Sequence, residues 1–316
     1  MAQEKPESPL AKVQEGKDAN ERTLLTLSNV VGVGIGYKEV HAKETKELCI
    51  NIYVEKKIAK NKLPAEQLVP ETLLVPETSE EIKTDVREVG RIEALTFANR
   101  IRPVRPGYSI GHFNITAGTI GCLVRDACYP YHIYILSNNH VLADCNAAVI
   151  GDPIMQPGRF DGGMLPGDMV ARLSHFISIR FGSPDHYNLV DAALAQPTDH
   201  RNMIASVVGL GMPRGTVEAI LGMDVVKSGR TTQTTAGKVI GIDATVAVGY
   251  GSAGTAYFRN QIMTTNMSKG GDSGSLLMSR TDREATGLLF AGSSKVTVHN
   301  NIANVLMALG VEIVTA

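Results

Sequence analysis

Short apolar runs separated by turn residues make up most of the chain beyond Arg100. Typical runs are TIGCLV, HIYILS, MDVVKSG, GKVIGI, TVAVGY and GSLLM. Many short strands without long helices between them are typical of β-barrels or sandwiches rather than of βαβ units. Helical periodicity appears mainly near the end, in NIANVLMALGVEI. The pattern predicts a mainly β domain over residues 100–316 that closes with a C-terminal helix.

A small α+β module is predicted over residues 26–99. Two β-branched runs, NVVGVGIGYKEV and ELCINIYVEKK, predict two strands joined by a loop, and a short helix is expected around residues 65–68. The first run contains Gly32, Gly34 and Gly36 but has neither GxGxxG spacing nor a Walker GK[ST] motif. We therefore interpret it as a glycine-rich strand rather than as a phosphate-binding loop.

Residues 1–25 are polar and charged, which predicts a disordered tail. They contain no apolar segment typical of a secretory signal, and no stretch of the chain reaches the roughly 18 apolar residues of a membrane helix. The formal net charge of −1 creates no overall field that would attract nucleic acid or acidic membranes. We therefore expect a cytoplasmic protein with neither nucleic acid nor membrane as a partner.

Charge is distributed unevenly along the chain. Residues 1–100 hold 15 Lys and Arg and 17 Asp and Glu, which is 32 of the 63 such residues in the protein. The remainder is rich in Gly, Ala, Val and Thr, and 43% of all residues are hydrophobic, enough for a substantial core. The shift in composition separates the N-terminal module from the larger β-rich domain.

The four cysteines match no zinc-binding spacing, and we expect neither a metal nor another cofactor. Reduced thiols in a cytosolic protein are the favoured interpretation. A bridge among Cys122, Cys128 and Cys145 stays open, because all three flank the same segment and sequence does not determine pairing.

The strongest chemical signal is the segment KGGDSGS, residues 269–275. A nucleophilic serine needs a tight exposed turn, a base within reach and donors for the oxyanion. Glycines on both sides of Ser273 permit such a turn. Taken alone, the segment is equally compatible with an ordinary hairpin turn.

A histidine and an aspartate elsewhere in the chain complete this chemistry. His140 lies where the strand-like run YHIYILSNNHVLA turns helical, so it can point into a cleft, although a capping histidine would fit the same place. Asp191 lies in the apolar run NLVDAALAQ, where a carboxylate is costly unless paired, although it could also lie at a strand edge. The order His, Asp, Ser differs from that of subtilases and of Ser-Asp-His hydrolases.

These three segments resemble those of chymotrypsin-like serine peptidases. SNNHVLA is similar to the histidine box, VDAALA to the aspartate strand and GGDSGS to the nucleophile loop. Within that superfamily the chain resembles a bacterial and plant branch typified by the narrow-leaf protein of plants. The supporting segments, which include NVVGVGIGYK, RPVRPGYSIGH, VKSGRTT and GLLFAGS, span residues 29–293 in collinear order.

The resemblance implies a chymotrypsin-like double β-barrel, with barrels over about residues 100–205 and 206–316. It implies a triad of His140, Asp191 and Ser273, with His140 and Asp191 on the first barrel and Ser273 on the second. It also implies an oxyanion hole formed by the backbone N–H groups of Gly271 and Ser273.

Three further roles follow from the resemblance alone. Arg230, in SGRTT, would pair with Asp272 and so support the active-site loop. The substrate backbone would pair with the strand segment formed by Phe290, Ala291 and Gly292. Met267 would lie near the base of the specificity pocket, and because it is not acidic, a trypsin-like preference for Lys or Arg is not supported.

The sequence supports two functional hypotheses. The first is an active serine endopeptidase that hydrolyses protein or peptide substrates through an acyl-enzyme intermediate. The second is a catalytically latent protease-fold scaffold or sensor whose N-terminal module binds a protein partner. The intact triad favours the first, and whether the chain forms a homo-oligomer stays open.

Overall fold

The structure, a computed structural model, describes residues 8–40, 43–75, 80–90 and 96–316. The chain forms two compact units, Met1–Leu95 and Thr96–Ala316. The division lies within a few residues of the boundary expected at residue 100. No helix among the described residues is both long enough and apolar enough to cross a membrane.

The first unit is a four-stranded sheet with one helix. In chain order its elements are α1 (Pro9–Leu24), β1 (Val30–Val40), β2 (Lys43–Val54), β3 (Thr72–Leu74) and β4 (Glu81–Glu88). The strand order is β1-β2-β4-β3, with β2 and β4 parallel and the other pairs antiparallel. The two predicted strands are present, whereas the helix expected at residues 65–68 is a single 3-10 turn, Ala65–Gln67.

Helix α1 corrects the expectation of a disordered tail over residues 9–24. The Ser8 hydroxyl caps the helix by accepting the Ala11 amide at 3.2 Å, and Pro9 begins its first turn. Val13 and Leu24 are buried in the core of the unit. The segment is polar in composition because only a few of its positions face the sheet. The helix is therefore stabilised mainly by tertiary packing, which the composition does not show. Residues 1–7 of the expected tail lie outside the described part of the chain.

The glycine-rich run forms strand β1, as predicted. A Cβ atom on Gly34 would lie 3.1 Å from the Tyr53 ring, and one on Gly36 would overlap the Asn51 side-chain amide. The glycines therefore let side chains of β2 cover this strand, which explains the run without a phosphate ligand.

The second unit contains two sheets. Its elements follow in chain order: β5 (Ser109–His112), β6 (Gly118–Thr119), β7 (Cys122–Asp126), β8 (Ile133–Ser137), α2 (Asn139–Leu142), β9 (Pro153–Met155), β10 (Met169–Phe176), β11 (Tyr187–Asn188), β12 (Ala193–Pro197), β13 (Asp224–Gly229), β14 (Gln233–Gly249), β15 (Thr255–Thr265), β16 (Leu276–Ser279), β17 (Ala285–Gly292), β18 (Val296–Asn301), α3 (Ile302–Leu309) and β19 (Val311–Ile313). The predicted C-terminal helix is α3.

The first sheet is an eight-stranded half-barrel ordered β19-β7-β8-β12-β10-β9-β5-β6. The second is ordered β11-β15-β14-β13-β16-β17-β18, and pairing of β15 with β18 closes six of these strands into a ring. One apolar core lies between them, and it includes Leu136 of the first sheet, Leu288 of the second and Val305 of α3. The two halves therefore share a core, which fixes the groups they bring together.

The four cysteine thiols are unpaired. Cys122 is buried in the core between the sheets, and burial raises the pKa of its thiol to about 12. Cys128 is exposed, and Cys145 is partly buried, with a thiol pKa raised to about 11 chiefly by burial.

His299 is expected to make the stability of the protein sensitive to acid. It is fully buried on β18, its Nε2 lies 3.0 Å from Thr264 Oγ1, and burial lowers its pKa from 6.5 to about 3. Between these two values the unfolded chain binds a proton that the folded chain does not, so stability falls as the pH drops below 6.5. From pH 6.5 to pH 5 we expect a loss of about 2 kcal/mol, measured by urea unfolding.

His299→Gln removes the titrating group, so its unfolding free energy should change less over this pH range. His200→Gln, at an exposed position, should keep the wild-type slope. Equal slopes for His299→Gln and wild type would contradict this assignment.

Candidate active site

His140 lies in the short helix α2, directly after strand β8. Ile135 and Leu136 are buried on this strand. The strand ends at two buried asparagines: Asn138 donates to the Asp191 carbonyl at 2.7 Å, and Asn139 donates to the Ile177 carbonyl at 2.8 Å. These bonds fix the turn that presents the His140 ring, whose side chain stays 20% exposed.

Asp191 is the direct partner of His140. Its Oδ2 lies 2.5 Å from His140 Nδ1, and its Oδ1 accepts the His140 amide at 3.2 Å. The carboxylate is fully buried, and the Asp191 amide donates to Asn300 Oδ1 at 3.0 Å. With Nδ1 engaged, the ring is oriented so that Nε2 is the nitrogen available to a reacting group.

Ser273 lies in the loop between β15 and β16, next to the first sheet. Its carbonyl accepts the Thr119 amide at 2.8 Å, and the Thr119 hydroxyl donates to the Gly271 carbonyl at 2.8 Å. Thr119 therefore binds the loop on both sides of Asp272. Ser273 is partly exposed and lines a cavity of about 470 Å³.

Both glycines of the loop are required by its backbone. Gly271 and Gly274 each have a φ of +96°, which other residues rarely adopt. A Cβ on Gly274 would also overlap the Ser137 hydroxyl. Within the described residues, neither the Gly271 nor the Ser273 amide donates a backbone hydrogen bond, so both of the expected oxyanion donors are free.

Gly118 lies between the serine loop and helix α2. A Cβ at Gly118 would be 3.0 Å from the Ser273 carbonyl oxygen and would overlap the side chain of Val141, the residue after His140. The structure thus brings the three predicted triad residues to one place. Among the described residues, His140 and Asp191 are directly bonded, whereas the Ser273 hydroxyl makes no direct hydrogen bond to His140. Such a contact is often loose before substrate binds.

Asp272 is held by five donors. Its Oδ1 accepts the amides of Thr231 and Thr232 at 2.9 and 3.1 Å. Its Oδ2 accepts the Thr232 hydroxyl at 2.7 Å and the Lys269 amide at 2.9 Å, and lies 3.3 Å from Lys227 Nζ. Asp272 and Lys227 are both fully buried, so the cation that neutralises this carboxylate comes from strand β13.

The predicted pairing of Arg230 with Asp272 is wrong. Arg230 instead binds Asp161 with two hydrogen bonds, of 2.6 Å from Nε and 2.5 Å from Nη2. The reason is that Lys227 and four other donors already satisfy Asp272. Arg230 still packs against the active-site loop, because a Cβ at Gly271 would overlap its Nη1. The hydrogen bonds that Arg230 donates to the Asp161 carboxylate raise the pKa of the guanidinium.

Two cavities lie beside His140 and Ser273. The 470 Å³ cavity next to Ser273 is also lined by Lys269, Ala291 and Gly292. A second cavity, of about 610 Å³, is lined by His140 and Cys145 on the half-barrel side and by residues of the ring that include Phe290. Of the expected substrate-contacting residues, Phe290, Ala291 and Gly292 line these cavities.

Met267 corrects the expectation for the pocket base. It is 4% exposed and packs in the ring core against Val239, Ile262 and Leu277, so it lines neither cavity. Its neighbour Ser268 lines the smaller cavity instead. Both residues lie in the loop after β15, where the apolar Met267 side chain packs in the core and the Ser268 hydroxyl lies 2.8 Å from Thr297 Oγ1.

The described residues contain no group of three or more His, Cys, Asp or Glu side chains placed to bind a metal. Sequence reasoning missed Lys227, Asp161 and Tyr250, whose hydroxyl contacts Asp191. The sequence did contain a signal for Lys227. A lysine inside the apolar run MDVVKSG is rarely buried unless an opposite charge pairs with it, as is true of Asp191.

Comparisons with known proteins add to this picture. No protein-family model and no curated protein matches the sequence. Similar solved structures include Thermobifida fusca Protease A (TM-score 0.49, 20% identity), Cellulomonas bogoriensis chymotrypsin (0.47, 20%) and Nocardiopsis protease (0.49, 18%). Each structural alignment covers 67% of this chain and 99% of the chain of the similar structure. The half-barrel and ring of the second unit form a mainly β, chymotrypsin-like fold, as predicted.

Proposed function

We propose that this protein is a serine endopeptidase of the bacterial and plant branch that the narrow-leaf protein typifies. The observation that supports it best is the buried Asp191 carboxylate, 2.5 Å from His140 Nδ1, beside a constrained loop that presents Ser273. A fully buried carboxylate that orients a partly exposed imidazole is the arrangement a general base requires.

In the proposed reaction, His140 Nε2 accepts the Ser273 hydroxyl proton as Oγ attacks the scissile carbonyl carbon. The Gly271 and Ser273 amides stabilise the oxyanion, and Asp191 stabilises the imidazolium. His140 then returns the proton to the leaving amine, and water hydrolyses the acyl-enzyme by the same steps in reverse.

The substrate is proposed to be a protein or peptide without Lys or Arg at P1, the residue before the scissile bond. The cavity beside Ser273 is lined by Lys269, by hydroxyl and amide side chains and by the apolar Leu289 and Ala291, and none of its lining residues is acidic. A basic P1 side chain would meet a like charge there, so we expect cleavage after Lys or Arg to be at least about tenfold slower than after uncharged or acidic residues. Digestion of a proteome-derived peptide library measures this preference.

Lys269→Met is the matched test of the charge, and it should raise cleavage after Lys and Arg relative to other residues. A library cut preferentially after Lys or Arg by the wild-type enzyme would contradict the P1 assignment. Absence of any cleavage, together with no labelling of Ser273 by a fluorophosphonate, would instead favour the latent scaffold.

A further inference from the structure

The Asp191 carboxylate receives a third hydrogen bond from outside its own sheet. The Tyr250 hydroxyl donates to Asp191 Oδ2 at 2.8 Å, the same oxygen that His140 Nδ1 contacts. Tyr250 directly follows strand β14 of the ring, whereas Asp191 lies two residues before β12 of the half-barrel. Among the described residues, His140 is the one ionisable cation within ion-pair distance of Asp191. The buried charge therefore depends on this small set of donors.

The Tyr250 hydroxyl can act only as the donor in this contact. Burial, reinforced by the negative charge of Asp191, raises the pKa of Tyr250 far above its ordinary value, so the phenol stays protonated. An ionised carboxylate has no proton to give, so the phenol proton lies toward Asp191.

The Tyr250 ring is fixed independently of its hydroxyl. It packs edge-on against the His140 ring, with centroids 5.7 Å apart, and against Phe181, with centroids 5.6 Å apart. It also contacts Phe258 at 6.2 Å. These contacts hold the phenol where a substitution by phenylalanine would remove the donor and leave the ring in place.

From this geometry we infer that Tyr250 is a positioning residue: its hydroxyl holds the Asp191 carboxylate in the orientation that directs His140 toward Ser273. The effect of Tyr250 on catalysis rests on the proposed function. The physical basis is that a carboxylate with one oxygen shared by two donors cannot rotate without breaking both bonds. The hairpin of β14 and β15 thereby makes the His140–Asp191 pair depend on contact between the two sheets.

The test is Tyr250→Phe in the full chain. We expect kcat to fall about 10- to 100-fold, the effect of losing a hydrogen bond to a charged group, with KM nearly unchanged. The readout that needs no activity is the proton NMR resonance of His140 Nδ1–H. Without the Tyr250 hydroxyl, Asp191 Oδ2 becomes a stronger acceptor for the His140 Nδ1–H hydrogen bond. The His140 Nδ1–H resonance should therefore move downfield.

A second replacement keeps the assignment testable if Tyr250→Phe folds poorly. 3-Fluorotyrosine at position 250 retains ring and hydroxyl but makes the hydroxyl a stronger donor, so the His140 resonance should move upfield. Tyr257→Phe, on the same hairpin, is the matched control and should leave both readouts at wild-type values. An unmoved His140 resonance in both Tyr250 replacements would overturn the inference. If the wild-type chain cleaves nothing, opposite shifts would still support the role of Tyr250, and only the peptidase proposal would fail.

Discussion

Ser273→Ala is expected to abolish hydrolysis, with kcat lowered by about 10⁴-fold or more, because the members of a catalytic triad act as a unit. The hydroxyl makes no hydrogen bond to another described residue, so its removal should leave the melting temperature close to that of the wild type. Steady-state kinetics on a peptide identified by library digestion, together with labelling by a fluorophosphonate, measure the loss.

The matched control is Ser183→Ala, a surface serine whose hydroxyl contacts Asp185 in a turn. It should keep full activity and full labelling. Hydrolysis by purified Ser273→Ala at the wild-type rate would rule out Ser273 as the nucleophile.

Lys227→Met is expected to destabilise the protein by about 3–5 kcal/mol, because it leaves the Asp272 carboxylate buried without its cation. Both side chains are fully buried, and Lys227 Nζ also donates to the Gln233 carbonyl at 3.1 Å. Activity should fall as well, since Asp272 lies between the two proposed oxyanion amides. Urea unfolding and kcat on the same preparation measure both effects.

Lys238→Met provides the comparison on the neighbouring strand β14. Lys238 forms an exposed ion pair with Asp224 at 2.8 Å, and exposed pairs contribute little. Its unfolding free energy and activity should stay near those of the wild type. If Lys227→Met were as stable and active as Lys238→Met, the pairing with Asp272 would have no part in holding the loop.

Part of the site's geometry could be predicted because it depends on local sequence features. Glycines on both sides of Ser273 indicated a tight turn, and Gly271 and Gly274 each have a φ of +96°. A carboxylate in the apolar run around Asp191 indicated a buried pair, and His140 is that partner. The branch of the superfamily, the cytoplasmic location and the partners stay predictions.

What could not be predicted depends on distances that sequence does not contain. Arg230 and Lys227 are three positions apart on or beside β13, and either could have reached Asp272. The register of β13 places Lys227 inside and leaves Arg230 to Asp161. Helix α1 was also missed because its stability depends on distant contacts. Two of its apolar residues, Val13 and Leu24, pack on a sheet whose strands follow later in the chain.

Strand β19 has a consequence for how the protein is synthesised. It pairs with β7 and covers the edge of the half-barrel, with Val311 and Ile313 buried, yet it follows the whole ring in the sequence. During translation, the β7 edge of the half-barrel stays unpaired until the ring and then β19 have been synthesised. Open edges recruit strands of other chains, so nascent molecules are at risk of aggregation during that interval. The half-barrel and the ring therefore cannot be produced separately without leaving that edge bare.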